Sequence, residues 1–150
     1  MQESIFKSYD IRGIYPSDLD DETAYRVGRA FVDFLNAKRV IVGRDMRLSS
    51  PSLARNLIRG LTEQGADVLD MGMVGTDLLY YACQKFDLPG IIATASHNPP
   101  AYGGFKMVKK IPILIGFGSG METIKELVIK NNFVAAGLKG TITPLADLID

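Results

Sequence analysis

The sequence predicts an α/β fold, a three-layer sandwich in which helices cover both faces of a mixed, mainly parallel sheet. Two observations lead to this prediction. Apolar residues switch repeatedly between a period of two and a period of about 3.6, as strands and helices do when they alternate along an α/β chain. The apolar stretch "GFKMV" at 104–108 returns too soon after the preceding strand for a parallel crossover, which predicts an antiparallel neighbour.

The first half of the chain predicts two helices and the strands that follow them. Ala24, Val27 and Phe31 recur on one helical face, so residues 21–36 are predicted to be helical, and "RVIVG" at 39–43 is a short buried strand. A second helix is predicted between Pro51 and Gly65, because proline suits the first turn and glycine the end of a helix. The strand "ADVLDMG" at 66–72 follows it. The other inward-facing residues of these helices are Phe34, Leu35, Leu53, Leu57, Ile58 and Leu61.

The second half predicts a helix at 77–86, a strand at 90–95, the returning strand at 104–108 and a last helix at 121–130. Within the returning strand, Lys106 alternates with Phe105 and Met107 and is therefore predicted to project to the opposite face. The residues predicted to face inward from the last helix are Met121, Ile124, Leu127 and Val128.

The domain boundary is predicted near residue 135. Residues 1–135 are expected to form one α/β domain, and residues 136–150 an exit segment toward a following domain absent from this chain. This last stretch has weak periodicity, contains Pro144 and ends in "LADLID", which resembles the beginning of a further element.

The composition excludes several classes of function. The 17 basic and 17 acidic side chains cancel, which argues against a nucleic-acid or anionic-membrane surface. Cys83 is the only cysteine, so no internal disulfide can form. The N-terminus has no apolar segment of signal-peptide length, and "IPILIGFG" is too short to span a bilayer. We therefore expect a cytoplasmic protein.

The polar run "TASHNPP" follows the strand at 90–95 and is the first candidate site. Parallel sheets bind ligands outside the carboxyl ends of their strands, and Ser96 lies at such an end. His97, the only histidine, lies in the same polar loop, and Pro99 and Pro100 make the loop stiff. The pattern fits a loop whose backbone N–H groups bind phosphate, and it fits an ordinary polar turn about equally well.

An acyl-transfer nucleophile is disfavoured at this serine. The nucleophile elbow requires Gly-x-Ser-x-Gly, and here Thr94 and Asn98 stand at the glycine positions. Adjacent side chains on extended backbone also diverge, so His97 is badly placed to act as a base toward Ser96.

Two arginine-containing motifs, "SYDIRG" at 8–13 and "VGRDMRLSSP" at 42–51, are further candidates. Arg12, Arg44 and Arg47 could bind phosphate with both arms of the guanidinium, while Asp10 and Asp45 could orient them. For Arg44 and Arg47, structural ion pairs are the favoured interpretation.

The acidic run "SDLDDET" at 17–23 could hold a metal through Asp18 and Asp20, as in a metal-dependent phosphatase. It does not follow a hydrophobic strand, as an aspartyl-phosphate motif should. Acidic residues before a helix are explained by capping and by the helix dipole, and this interpretation is favoured.

Together, "YDIRG", "GRDMRLSS" and "TASHNPPAYGGFK" resemble the N-terminal domain of the α-D-phosphohexomutases, the phosphoglucomutase/phosphomannomutase family. The third motif resembles the phosphoserine loop of that family and is highly specific. The resemblance covers most of the chain but only about the first third of a four-domain enzyme. "SYDIRG" is more similar to the hexose-phosphate branch than to the phosphoglucosamine branch. Gly103 is a departure, since family members commonly have asparagine there.

The resemblance implies a role for each matching residue. Ser96 would hold the phosphoryl group, with His97 beside it in the catalytic loop and Lys106 as a proton-transfer or charge-stabilising group. Tyr9 and Arg12 would help to hold substrate phosphate. The sixth residue implied is Asn98, as a phosphate-binding group of the loop.

The resemblance also implies cofactors and partners. Mg²⁺ would bind a phosphate oxygen on Ser96 and three aspartates of an Asp-x-Asp-Gly-Asp-Arg loop, which does not occur in this sequence. A sugar bisphosphate would serve as activator and intermediate, and the other partners would be a sugar-phosphate substrate and the remaining domains of the polypeptide.

The expected function is therefore that of the phosphoserine domain of an enzyme interconverting hexose 1-phosphate and hexose 6-phosphate, with mannose or glucose as the sugar. The isolated domain is expected to be inactive. The alternatives are a non-catalytic sugar-phosphate-binding module and, less favoured, the metal-dependent phosphatase built on the acidic run.

Overall fold

The structure, a computed structural model, describes residues 1–145 as a seven-stranded sheet with helices on both faces, which confirms the predicted α/β fold. A short 3₁₀ helix, Glu3–Ile5, precedes the sheet. The helices are α1 (Asp21–Leu35), α2 (Ser50–Glu63), α3 (Thr76–Phe86) and α4 (Met121–Lys130). The strands are β1 (Ile11–Ile14), β2 (Arg39–Arg44), β3 (Asp67–Met73), β4 (Gly90–Ala93), β5 (Tyr102–Lys110), β6 (Ile113–Leu114) and β7 (Ile142–Pro144).

The sheet is mixed, and within the described residues one strand alone runs against the others. The strand order is β1-β5-β4-β2-β3-β7, and β6 also pairs with β5. β2 is parallel to β3 and β4, and β3 is parallel to β7. β5 is antiparallel to β1, β4 and β6, so those three strands share the direction of the rest. The antiparallel return predicted for "GFKMV" is confirmed.

The order of connections creates a crevice at one end of the sheet. From β2 the chain passes through α2 to β3 on one side, and then through α3 to β4 on the other side of β2. The loops after β2 and β4 therefore leave neighbouring strands in opposite directions. Such a switch point, outside the carboxyl ends of parallel strands, is where open α/β sheets bind ligands.

Two hydrophobic clusters, one on each face of the sheet, hold the layers together. α1, α2 and α4 cover one face and α3 covers the other. Most side chains predicted to face inward are fully buried, and Phe34, Leu35, Ile58 and Leu127 pack against the core while partly exposed. The faces predicted from helical periodicity are therefore confirmed.

α1 and α2 cross in direct backbone contact. A Cβ atom added to Gly60 would overlap the carbonyl oxygen of Tyr25, and one added to Gly28 would overlap that of Leu57. Both positions therefore require glycine, because any side chain would force the two helices apart. Above this contact, Tyr25 Oη donates a hydrogen bond to Glu63 at 2.6 Å.

Three strands were not predicted from the sequence. β1 and β7 are three or four residues long, and β6 has two, so none has enough residues for a periodic signal. Each forms because a longer strand supplies its backbone partners. Gly103 and Gly104 of β5, for example, oppose Gly13 and Arg12 of β1.

β7 lies within the segment predicted to leave the domain. The backbone N–H of Val68 donates to the carbonyl of Thr141 at 2.7 Å, and that of Gly140 donates to Thr62 at 2.9 Å. Residues 136–145 thus run along α2 and β3 before the described part of the chain ends. The predicted exit toward a following domain remains a prediction, and residues 146–150 of "LADLID" lie outside the described residues.

The acidic run before α1 serves local structure. Asp20 is the N-cap of α1 and accepts hydrogen bonds from the backbone and the hydroxyl of Thr23, both at 2.9 Å. Asp18 accepts the N–H of Ile14 at 3.0 Å. Burial raises the pKa of Asp20, but the bonds from Thr23 outweigh it and leave the pKa below its ordinary value. The favoured capping interpretation is confirmed for Asp20.

Asp20→Ala is expected to lower the free energy of unfolding by about 1 kcal/mol at neutral pH, because the N-cap acceptor is lost. The pKa of Asp20 in the folded protein lies below its ordinary value of 3.8. The ionised carboxylate therefore stabilises the fold above pH 3.8, and this stabilisation is lost as the pH falls through the pKa of the folded protein. Urea unfolding between pH 2 and pH 7 measures both effects. Asp20→Asn should keep most of the neutral stability and lose the acid-dependent part; equal losses for the two variants would contradict the capping role.

Candidate functional site

Two loops form the crevice at the switch point of the sheet. One follows β2 and begins at Asp45, whose N–H donates to the carbonyl of Ala93 at the end of β4, at 2.9 Å. The other follows β4 and contains Ser96, His97 and Asn98. These three residues line a cleft of about 480 Å³, so the structure brings together the loop residues predicted from "TASHNPP".

Ser96 has a left-handed backbone conformation, with φ of 54°, and not the extended conformation expected from the sequence. This conformation costs a residue with a side chain about 1–2 kcal/mol, and such positions cluster at functional sites. The N–H of Ser96 donates to the hydroxyl of Thr94 at 3.0 Å, and the side-chain amide of Asn98 donates to the carbonyl of Ala95 at 2.7 Å. Ser96 is exposed, and within residues 1–145 its hydroxyl has no hydrogen-bond partner. The turn therefore presents a free hydroxyl to the cleft.

Arg47 joins the two loops. Its Nε lies 3.4 Å from a carboxylate oxygen of Asp45, which confirms the ion pair favoured for this arginine. Its two terminal nitrogens donate to backbone carbonyls of the Ser96 loop, a role that was not predicted. Arg44 lies elsewhere, in a groove of about 550 Å³ between α2 and the β3–β7 edge of the sheet. The ion pair favoured for Arg44 is not found within residues 1–145.

A second cleft contains the other predicted site residues. Tyr9, Arg12 and Lys106 line a cleft of about 600 Å³ together with Asp10. The Asp10 carboxylate is only 13% exposed, and its two oxygens lie 3.6 Å from Lys106 Nζ and 3.9 Å from Arg12 Nε. Lys106 projects away from the buried Phe105, as predicted from the alternation of the strand. Asp10 thus holds two cationic side chains in one cleft.

One strand separates the two clefts, and they share no lining residue. The carbonyl of Gly104 in β5 accepts the N–H of Thr94, two residues before Ser96, and Gly104 opposes Arg12 on its other side. Twice the spacing between strands places Thr94 and Arg12 roughly 10 Å apart. The predicted residues are therefore neighbours across β5, although they do not surround a single point.

Known proteins share this sequence and architecture. The family domain described as "Phosphoglucomutase/phosphomannomutase, alpha/beta/alpha domain I" matches residues 3–134. The chain belongs to the phosphoglucomutase/phosphomannomutase family. The resemblance recognised from the three sequence motifs is thereby confirmed.

Individual members of the family show how much of their length the chain covers. A phosphomannomutase of Escherichia coli is 41% identical over 150 residues, covering 98% of this chain and 33% of that protein. A phosphomannomutase of Klebsiella pneumoniae is also 41% identical, and there the alignment covers 96% of the relative. The crystal structure of a phosphoglucomutase/phosphomannomutase family protein from Burkholderia thailandensis superposes with a TM-score of 0.87 at 34% identity, covering 99% of this chain and 35% of the other. The chain thus spans about a third of two of these relatives.

Several residues of the site were missed or only partly predicted from the sequence. Asp10 was expected to orient an arginine, but its contact with Lys106 was not foreseen. The bond from Ser96 to Thr94 had a local signal, since a hydroxyl residue two positions earlier often closes a turn. Arg47 had no such signal, because its carbonyl partners lie about fifty positions further along the chain.

The residues present do not form a complete metal site. Within residues 1–145 no group of three or more His, Cys, Asp or Glu side chains could hold a metal ion. In the acidic run, the carboxylates of Asp18 and Asp20 accept hydrogen bonds from Ile14 and Thr23.

Two further features concern membrane-spanning helices and the single cysteine. Within residues 1–145 we find no helix with the length and apolar character needed to cross a membrane. Cys83 is buried, and burial raises the pKa of its thiol to about 12, so the thiol stays protonated and unreactive at neutral pH.

The glycine that departs from the family pattern lies beside a buried hydroxyl. A Cβ atom on Gly103 would lie 2.8 Å from Leu53 Cδ1 and 3.5 Å from Ser49 Oγ. Ser49 Oγ is buried and has no hydrogen-bond partner within residues 1–145. A longer polar side chain at position 103 would therefore reach the Ser49 hydroxyl once Leu53 moved aside.

Ser49→Ala is expected to leave the free energy of unfolding unchanged or to raise it by up to about 1 kcal/mol, because it removes a buried hydroxyl that has no partner. Thermal unfolding measures the change. Ser52→Ala is the matched control at the start of the same helix: Ser52 donates to Asp21 at 2.9 Å, so its loss should destabilise the protein. A destabilisation by Ser49→Ala as large as that of the control would show that the hydroxyl does have a partner.

Proposed function

We propose that this chain is the phosphoserine-bearing domain of a phosphohexomutase, which interconverts hexose 1-phosphate and hexose 6-phosphate of mannose, glucose or both. Membership of the family supports the class of reaction. The observation that supports the role of the domain is the free hydroxyl of Ser96, exposed in the cleft at the switch point of the sheet.

In the proposed reaction, phosphate passes between Ser96 and the sugar. The bond between phosphorus and Ser96 Oγ breaks, and the leaving Oγ takes up a proton, while the free hydroxyl of the sugar monophosphate bonds to phosphorus and loses its proton to a base. The resulting sugar bisphosphate turns around. The Ser96 hydroxyl then loses its proton and bonds to the other phosphorus, and the sugar oxygen released from that phosphorus takes up the proton. Phosphate thus moves between carbon 1 and carbon 6 without net consumption of any group.

Charge neutralisation is the task proposed for the second cleft. Arg12 and Lys106 are positioned by Asp10, and they would hold the phosphate that is not being transferred. Tyr9 is 83% exposed at the same cleft and would contact the sugar or its phosphate. The backbones of Thr94 and Arg12 lie roughly 10 Å apart across β5, so one ligand with a phosphate at each end could reach both clefts.

Proton transfer is the task proposed for the Ser96 cleft. His97 and Lys106 are the two candidates for the base. His97 lines the same cleft as Ser96, whereas Lys106 contacts the Asp10 carboxylate, and this difference favours His97. Asn98 would contribute to the shape of the loop through its bond to Ala95.

The described residues alone are not expected to complete a turnover. Mg²⁺ would neutralise charge on the transferred phosphoryl group, with its remaining ligands supplied by residues outside the described part of the chain. The isolated domain should therefore be inactive as a mutase, and the rest of the polypeptide is proposed to supply the other phosphate- and sugar-binding groups.

The test uses the complete translated polypeptide that contains these 150 residues. It is incubated with glucose 1,6-bisphosphate or mannose 1,6-bisphosphate labelled with ³²P, in a buffer containing Mg²⁺, and the labelled peptide is then mapped. We expect the label on Ser96 and its transfer onto added hexose 6-phosphate.

Three other results would overturn the proposal. Label on another residue would show that Ser96 is not the residue that accepts the phosphoryl group. Tight binding of the bisphosphate without labelling would favour a non-catalytic binding module. Release of the label only as inorganic phosphate would indicate a phosphatase.

A further inference from the structure

We propose that Arg47 is a positioning residue that holds the Ser96 loop in the geometry for phosphoryl transfer, an inference that rests on the proposed function. Nη2 of Arg47 donates to the carbonyl oxygens of Ser96 and Asn98, at 2.7 and 2.6 Å. Nη1 donates to those of Pro99 and Tyr102, at 2.7 and 3.3 Å. One side chain thus binds four carbonyls spread over seven residues of the loop.

The guanidinium of Arg47 is held by hydrogen bonds at its two terminal nitrogens and by an ion pair at Nε. A guanidinium has five N–H donors in a planar fork. Four of them point to the loop carbonyls, and the fifth, on Nε, faces Asp45 at 3.4 Å. Asp45 is itself held, since it accepts the N–H of Arg47 at 3.0 Å and the hydroxyl of Ser50 at the start of α2. The fork is therefore anchored to α2 on one side and to the Ser96 loop on the other.

The contacts explain how Ser96 keeps its strained conformation. A left-handed serine persists only where surrounding contacts hold it, and the carbonyl of Ser96 is one of the two bound by Nη2. The Arg47 side chain is 12% exposed; its bonds to Asn98 and Tyr102 are partly buried, and those to Ser96 and Pro99 lie at the surface. Bonds to a charged donor are stronger than neutral ones, and they weaken less when shielded.

The contacts also remove negative charge from the surroundings of the transferred group. The carbonyl oxygens of Ser96 and Asn98, two residues that line the cleft, carry partial negative charge and would repel a nearby phosphoryl group. Because Arg47 binds them, their partial charges are neutralised by a fixed cation, and the loop can receive a phosphate on Ser96 without that repulsion.

Lysine cannot replace this arginine. It presents three donors from a single nitrogen and cannot reach the Ser96–Asn98 pair and the Pro99–Tyr102 pair at once. Arg47→Lys keeps the positive charge and the pairing with Asp45, so it removes the fork and little else. Arg55→Lys is the matched control, because Arg55 is exposed on α2 and, within residues 1–145, its side chain makes a single long hydrogen bond, to Ser52 at 3.4 Å.

The first measurement is amide hydrogen exchange on the 150-residue chain and on the complete polypeptide. The N–H groups of Asn98 and Tyr102 donate within the loop, to Ala95 and Pro99. In Arg47→Lys we expect their exchange to accelerate about 10- to 100-fold, while amides in α1 stay unchanged. Arg55→Lys should change neither set. Unchanged exchange at both loop amides in Arg47→Lys would overturn the inference.

The second measurement is steady-state kinetics of the complete polypeptide. Arg47→Lys should lower kcat about 100-fold, since misplacement of a reacting group by an ångström has effects of that size. KM should stay within about twofold, because the phosphate-holding side chains lie in the other cleft. For Arg47→Ala we expect partial rescue of kcat by millimolar guanidinium and none by ammonium. A kcat for Arg47→Lys within about threefold of the wild type would overturn the inference.

The design separates failure of this inference from failure of the proposed function. If the wild-type polypeptide transfers no phosphate, the proposed function is wrong, and hydrogen exchange still decides whether Arg47 holds the loop. If the wild type is active and Arg47→Lys is equally active, only the positioning role is wrong. Thermal unfolding of each variant shows whether a loss of kcat comes from global destabilisation. If Arg47→Ala is destabilised in this way, the conclusion is drawn from Arg47→Lys alone.

Discussion

Ser96→Ala is expected to abolish phosphorylation of the protein and to lower mutase turnover of the complete polypeptide on the order of 10⁴- to 10⁶-fold, the range for loss of a group that forms a covalent intermediate. The Ser96 hydroxyl has no hydrogen-bond partner within residues 1–145, so its removal leaves no buried polar group unpaired. The free energy of unfolding should therefore change by less than about 0.5 kcal/mol. Labelling with ³²P-bisphosphate and thermal unfolding measure the two effects.

Ser17→Ala serves as the matched control for this prediction, because Ser17 is an exposed serine in the turn before α1. It should leave both labelling and turnover unchanged. Full mutase activity in Ser96→Ala would contradict the phosphoserine assignment, whereas a variant that is both inactive and unfolded would contradict the statement that the hydroxyl is uncommitted.

Gly60→Ala is expected to destabilise the domain by about 3 kcal/mol, because a new Cβ would overlap the carbonyl oxygen of Tyr25 and separate α1 from α2. The sign of this change in the free energy of unfolding distinguishes a steric clash from an ordinary helix position. In a helix interior the same change normally stabilises by about 1 kcal/mol. The melting temperature should fall by roughly 6–12 °C.

The matched control is Gly137→Ala, since a Cβ atom there meets no atom within 4 Å. Its free energy of unfolding should stay within about 0.5 kcal/mol of the wild type. A Gly60→Ala variant as stable as this control would show that the helices separate without loss of packing.

Much of the fold could be predicted from local patterns. The four helices and the longer strands were found because their buried faces repeat in the sequence, and β5 was identified as antiparallel from the length of its connection. β1 and β7 were missed for the opposite reason. They are short, and their pairing with β5 and β3 decides that they are strands at all.

The same division applies to the candidate site. The residues of "TASHNPP" are consecutive, so their common placement in one cleft followed from the position of the loop after a strand. The pairing of Asp10 with Lys106 depends on strands that are far apart in sequence. No local pattern could reveal that the predicted residues are divided between two clefts by β5.

The sequence by itself determined the family, the α/β class, the inward faces of the helices and the identity of the loop that contains Ser96, because each of these depends on the order and spacing of nearby residues. Only the tertiary structure decided the left-handed conformation of Ser96, the hydrogen bonds of Arg47 to four carbonyls and the contact between Gly60 and Tyr25. These depend on where the backbone of one element lies relative to another. Such distances are set by packing of the whole domain, and the residues concerned are separated by about 35 to 55 positions in the chain.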